Sequence, residues 1–310
     1  MKTYYGHGKL LLSAEYVVLD GAIALALPTK LGQSLTVKPI NDPKLIWRSI
    51  NHEGTVWFKD EFTHTNKKIS KHLQADHDIA RRLLNILNTA KALNPAFLND
   101  AQGYDITASL EFPQNWGLGS SSTLIHTIAA WANVDAYKLL DLTFGGSGYD
   151  IACAKHDTAI TYQLHTSSNI ELSNSRSISE ISFNPPFKEQ LYFVHLNKKQ
   201  NSREGIAAYR KQIVSNDTLS EISGITKALI TSDSLESFGS LLSAHEDIIS
   251  KIIKLEPVKK RLFKDFNGSL KSLGAWGGDF ILVASKENPR SYFKNKGFET
   301  LIPYREMILE

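Results

Sequence analysis

Residues 113 to 126 read Pro-Gln-Asn-Trp-Gly-Leu-Gly-Ser-Ser-Ser-Thr-Leu-Ile-His. Gly117 and Gly119 lack a Cβ, so the backbone can turn sharply there and admit a ligand closely. Ser120, Ser121, Ser122 and Thr123 add hydroxyls, and the mostly apolar run 124–132 is long enough for a buried helix. A glycine turn feeding a helix N-terminus offers unpaired N–H groups at the positive end of the dipole, an anion site suited to phosphate. The competing reading is an ordinary helix cap, because Ser and Thr favour that position with no ligand present. No Gly-Lys-Ser/Thr follows the glycines and the Gly-x-Gly-x-x-Gly spacing is absent, so neither the P-loop nor the dinucleotide fingerprint applies.

Other chemistry-bearing residues are scattered along the chain. Asp150 follows Gly145-Gly146-Ser147-Gly148-Tyr149, a setting that also suits a plain turn aspartate. Gly274, Ala275, Gly277 and Gly278 surround Trp276 before Asp279 and the strand-like run 281–284. Lys9 sits at the head of an apolar stretch, where a strand-edge lysine is the bland alternative. His72 and His77 lack a partner set at metal-ligand spacing and read as solvated. His245 and Glu246 read as a helix surface pair. Cys153 is the one cysteine, which rules out an internal disulfide and a cysteine metal site.

The elements that must position these residues follow from periodicity. Residues 104–112 alternate apolar and polar, as a half-buried strand does, and run straight into Pro113. Strands are expected at 10–12, 22–27, 35–37, 158–164 and 190–196, and a hairpin or loop with some strand over 41–72. The aromatics Trp47, Trp57 and Phe58 in that zone are read as core or hairpin packing. Apolar residues at helical spacing predict helices over 76–93, 217–231, 234–253 and 257–273. Residues 166–179 read as a surface hairpin or loop, and 197–200 as a polar turn. A chain of 310 residues can form two domains, with a boundary expected near Pro185-Pro186.

Composition sets limits. With 42% hydrophobic and 22% charged residues the chain is an ordinary globular protein. A formal charge of +3 with no dense Lys/Arg block argues against nucleic acid, and suits a small anionic substrate without demanding one. No apolar run reaches membrane-spanning length and no signal-peptide pattern opens the sequence, so a cytoplasmic location and no membrane partner are expected.

Pro-x-x-x-Gly-Leu-Gly-Ser-Ser, carried by Pro113, Gly117, Leu118, Gly119, Ser120 and Ser121, resembles the phosphate loop of the GHMP kinases. Ser122 stands where that family usually has alanine. Gly8-Lys9 with Ala14-Glu15-Tyr16 resembles the family's first motif, with His7 in place of proline and Ala14 in place of glycine. The stretch 271–280 resembles its third motif, with Trp276 in place of one of the glycines. Gly148-Tyr149-Asp150-Ile151-Ala152 matches the label of a bacterial "GYDIA" subgroup, and the Ser-Gly-x-Asp stretch is similar to that of mevalonate and phosphomevalonate kinases.

The resemblance covers nearly the whole chain and implies an α+β fold. An N-terminal ribosomal-S5-like, ATP-binding domain (1–184) and a C-terminal ferredoxin-like domain (185–310) would flank an active site in their cleft. It implies ATP and Mg²⁺, with transfer of the γ-phosphoryl group to a small anionic acceptor. Lys9 and Asp150 would be catalytic. Pro113, Gly117–Ser122, Gly274, Ala275, Gly277 and Gly278 would bind ATP. Ser121 and Asp150 would hold the metal, and Glu15, Tyr16, Ser147 and Arg203 (or Lys198) the acceptor. Phosphomevalonate or mevalonate is the favoured acceptor, homoserine or a sugar the less favoured. A homodimer is compatible with the resemblance, as is a family fold that binds nucleotide without turning it over. The interval from Ser121 to Asp150 is shorter than in typical members and holds no glutamate, so the family's Mg²⁺ glutamate has no direct equivalent; Asp135 or Asp141 are the candidate substitutes.

Overall fold

The computed structural model describes residues 1–65, 68–70, 78–99, 102–165, 175–198 and 202–310. Strands β1 (Lys2–Leu11), β2 (Ala24–Ile40), β3 (Lys44–Ile50), β4 (Val56–His64) and β5 (Ile69–Ser70) precede helix α1 (Asp78–Leu93) and strand β6 (Gly103–Leu110). Helices α2 (Ser120–Ala132), α3 (Ala136–Thr143) and α4 (Tyr149–Lys155) follow, then β7 (Ile160–His165), β8 (Ser175–Glu180) and β9 (Leu191–His195). Four helices, α5 (Ser202–Tyr209), α6 (Asn216–Ile230), α7 (Leu235–Ile253) and α8 (Val258–Leu262), lead to the hairpin β10 (Ser269–Ser272) and β11 (Phe280–Ala284). Last come α9 (Arg290–Asn295), β12 (Leu301–Pro303) and α10 (Tyr304–Met307).

The chain divides into two compact units, of which the first comprises Met1–Gly8, Leu31–Gln114 and Leu118–Lys155. Its strands run in the order β5-β4-β3-β6-β2, antiparallel except for the parallel pair β3 and β6. The alternation read over 104–112 is borne out in β6, which sends Ile106 and Ala108 into the core and ends at Leu110. Those residues pack with Leu35 and Val37 of β2, Trp47 of β3, Ile86 and Leu87 of α1, and Ile125 and Ile128 of α2. Burial of that apolar face is what holds the helices on the sheet. The expected hairpin over 41–72 is β3 and β4; Trp47 is core, whereas Trp57 is 43% exposed.

The second unit comprises Lys9–Lys30, Asn115–Gly117 and His156–Glu310. Its four-stranded antiparallel sheet has the order β10-β11-β9-β12, the split arrangement of a ferredoxin-like domain. Val194, Ile281, Val283, Leu270 and Phe293 form its core with Phe263 and Phe266. In the same unit β7 pairs with Ala24–Ala26 of β2 on one side and with β8 on the other.

Three local expectations change. The apolar run 22–27, from Ala24 onward, and the run 35–37 belong to one long strand, β2, in which Pro28 presents its carbonyl to Leu309 N–H and needs no donor of its own. The helix expected over 257–273 stops at Leu262, and 269–272 is strand β10. Gly268 lets the chain close on β11, where an added Cβ would stand 2.7 Å from Ala284 O, so the strand ladder overrides the helical spacing. The strand read at 10–12 starts at Lys2, because pairing with β2 carries the polar residues along. His72, His77, the start of the helix read from 76, and residues 166–174 and 199–200 lie outside the described residues.

Candidate functional site

In the first unit the chain reaches α2 through Gly119, which holds φ +87° at the N-cap, and no side chain caps the helix. The serine-cap alternative is therefore not what the fold uses. Ser122 and Thr123 N–H both donate to Gly119 O at 3.0 Å, closing the first turn tightly. Leu118 is fully buried, whereas Ser121 is exposed.

Ser122 is buried, and its hydroxyl donates to Asp150 Oδ2 at 2.5 Å. Asp150 stands in the first turn of α4 behind Gly148 at φ +89°, and its Oδ1 accepts from Ile151 N–H at 3.1 Å. The hydroxyl–carboxylate contact thus ties the α2 N-terminus to the α4 N-terminus through Ser122, not through Ser121. Ser147 is buried in the glycine turn. Asp135 is occupied as the cap of α3, accepting from Tyr137 and Lys138 N–H, and Asp141 is exposed. Among the described residues no group of three His, Cys, Asp or Glu side chains stands ready for a metal.

In the second unit Gly117 holds φ +67°, and the Asp279 carboxylate lies against it. A Cβ at Gly117 would stand 2.5 Å from Asp279 Cγ, so the close approach needs glycine. Asp279 itself is left-handed at φ +53°, held by N–H donation to Lys198 O at 2.6 Å. Trp116 packs edge-on to Phe280 at 5.3 Å, and His195 Nε2 lies 3.2 Å from Asn115 O. The Gly274–Gly278 segment joins β10 to β11 with Gly274, Trp276 and Gly277 all at positive φ. Trp276 takes that conformation while burying its whole side chain, an anchor that a glycine would not supply.

Lys9 is half-buried on β1. Beyond it Ala14 has φ +65°, a conformation that glycine would adopt more freely, and Tyr16 has φ +65° and ψ −53°. Val17 N–H donates to Glu15 O at 2.8 Å, which makes Tyr16 the centre of a γ-turn of the rare, strained hand. Such backbone costs on the order of 1–3 kcal/mol and persists only where its surroundings over-determine it.

Those surroundings are a buried polar cluster. Glu15 accepts from Lys271 Nζ, with both side chains fully buried, and Lys271 also donates to Ser272 O at 2.9 Å. Ala14 N–H donates to His245 Nε2 at 2.8 Å, and Glu246 accepts from Ser272 N–H and Oγ and from Val258 N–H. His245 and Glu246 are thus interior residues, and the surface-pair expectation is corrected: His245 falls on the α7 stripe Phe238, Leu242, Ile249, which packs inward. That stripe was the signal available in the sequence. Burial raises the Glu15 and Glu246 carboxyls, with Lys271 opposing the rise, and burial followed by the Lys271 charge holds His245 well below its ordinary value. Glu15 and Tyr16 are both buried, and Arg203 is exposed on α5.

By sequence, no family model and no curated protein matches the chain. Solved structures match it by shape. A mevalonate kinase crystal structure is 15% identical with a TM-score of 0.66, covering 97% of each chain. Streptococcus pneumoniae phosphomevalonate kinase, in complex with phosphomevalonate and AMPPNP, is 16% identical with a TM-score of 0.67 over 100% of this chain and 98% of its own. Lactococcus lactis galactokinase, complexed with galactose, is 14% identical with a TM-score of 0.65 over 95% and 88%. With its α+β units and its glycine loop at the head of α2, this chain has the fold of the GHMP kinases.

Proposed function

We propose that the protein is an ATP-dependent kinase of the GHMP type, phosphorylating a small anionic acceptor. The observation that carries this reading is the uncapped α2 N-terminus behind Gly119, with Asp150 bound to Ser122 one turn inside it. Backbone N–H groups at such a helix start suit a triphosphate. Gly117–Ser122 would cradle it, with Gly274, Ala275, Gly277 and Gly278 as further nucleotide contacts and Lys9 neutralising charge that develops on the transferred group. Asp150 would accept or orient the acceptor's hydroxyl proton, and Ser147 and Arg203 would engage the acceptor.

Mg²⁺ is bound in such sites by one or two carboxylates together with substrate phosphates, so one carboxylate beside serine hydroxyls fits it. Asp150 and Ser121 would hold the ion, which when bound neutralises phosphate charge. Phosphomevalonate or mevalonate is the acceptor favoured by the motifs, in the setting of isoprenoid precursor synthesis in the cytoplasm. A nucleotide binder without turnover is the second reading, favoured by the missing glutamate and by Asp135 being committed to a helix cap. Coupled ADP release across phosphomevalonate, mevalonate, homoserine and galactose decides: turnover with one acceptor establishes the kinase, and measured ATP binding with none establishes the binder.

A further inference from the structure

Tyr16 sits where three segments of the second unit meet. Its hydroxyl donates to Ala275 O at 2.6 Å, inside the Gly274–Gly278 segment. Its ring stacks on Tyr209 of α5 at 5.5 Å and 28°. Gly205 brings the body of α5 onto the same hydroxyl, which a Cβ there would overlap. Tyr209 in turn donates to Asp20 Oδ2, and Arg210 pairs with Asp20 Oδ1 at 2.9 Å, so α5 is tied back to the 3-10 turn that follows Tyr16.

The strained γ-turn is where two consecutive side chains, Glu15 and Tyr16, both reach the stretch 271–275. Ordinary extended backbone at residue 16 would send consecutive side chains to opposite faces. Here Glu15 enters the interior to meet Lys271, and Tyr16 leaves the turn toward Ala275 and Tyr209. Lys271 lies three residues before Gly274, so the turn grips the glycine segment at two places, at its entry through Glu15 and at Ala275 through Tyr16.

We propose that Tyr16 is a positioning residue, whose hydroxyl fixes the Gly274–Gly278 segment while its ring fixes α5, the helix that carries Arg203. The residue then acts through the backbone of the Gly274–Gly278 segment, rather than on the acceptor. The proposal concerns the order of two segments and stands apart from the reaction; only its kinetic consequence rests on the kinase reading.

Hydrogen exchange on the ligand-free full chain separates the two halves of this role. Tyr16→Phe removes the hydroxyl and keeps the ring. Amides of 273–280 should then exchange about tenfold faster, the scale of one buried carbonyl losing its donor, while those of 203–210 stay at the wild-type rate. Tyr16→Ala should loosen both sets. Wild-type exchange of 273–280 in Tyr16→Phe overturns the proposal, whatever the protein catalyses. With an acceptor that supports turnover, Tyr16→Phe should raise the KM for ATP about five- to tenfold and leave the acceptor KM alone. A raised acceptor KM with unmoved exchange places the hydroxyl on the substrate and also overturns it. Absence of turnover in the wild type ends the kinase reading and leaves the exchange result to decide this one.

Discussion

Gly117 shows how much a single missing Cβ can decide. Its φ of +67° disfavours any L side chain, and the Asp279 carboxylate fills the space a methyl would need. Gly117→Ala should therefore cost about 1–3 kcal/mol in urea unfolding and weaken ATP binding by at least about tenfold. Unchanged affinity measured by calorimetry would remove Gly117 from the nucleotide site. Asp150→Asn keeps the side chain's shape and an acceptor oxygen for Ser122 while removing the charge. Turnover should vanish, with affinity for ATP measured without Mg²⁺ within about twofold of wild type. Full activity in that variant would take Asp150 out of the mechanism.

Strand β10 and helix α7 supply the cluster that over-determines the turn at Ala14–Tyr16. Lys271→Met leaves the Glu15 carboxyl buried without its cation, and should cost about 3–5 kcal/mol. Adding Glu15→Gln should recover a large part of the loss; a double variant as unstable as the single would show that the ion pair is not the source. His245 gives a pH signature. Its folded pKa lies below the ordinary 6.5, so the unfolded chain takes up that proton first. The stability it contributes is complete above 6.5 and is lost as the pH falls below it, by at most about 1.4 kcal/mol per unit. Glu15 and Glu246, with raised values, act the other way, losing their contribution as pH rises above 4.5. His245→Gln retains an acceptor for Ala14 N–H and should flatten the acid limb between about pH 6.5 and 5.5. An unaltered slope in urea unfolding would show that the histidine carries no such linkage.

For the molecule as a whole, nucleotide binding is the property all readings share. ATP with Mg²⁺ at about 100 times its Kd should stabilise the folded chain by about 2.7 kcal/mol, visible as a thermal shift of several degrees. No shift at millimolar nucleotide would count against kinase and binder alike. Much of the architecture was open to reading one window at a time. Strand β6, helices α1, α6 and α7, and the glycine stretch ahead of α2 were visible, because alternation and helical spacing report which face of a segment is apolar. The 257–273 segment was not, since its short helix and its strand share one apolar run and only pairing with β11 separates them.

By itself, then, the sequence determined the glycine loop, the elements on either side of it and the positions of Lys9 and Asp150. Tertiary structure decided what those positions touch. Glu15 and Lys271 are 256 positions apart and Tyr16 and Ala275 are 259 apart. Periodicity carries no information about such partners, because it specifies the face a residue occupies and leaves open what packs onto that face. Asp150 was in view from the start, whereas its bond to Ser122, and the use of the Tyr16 hydroxyl on Ala275, emerged only once strands and helices had closed around them.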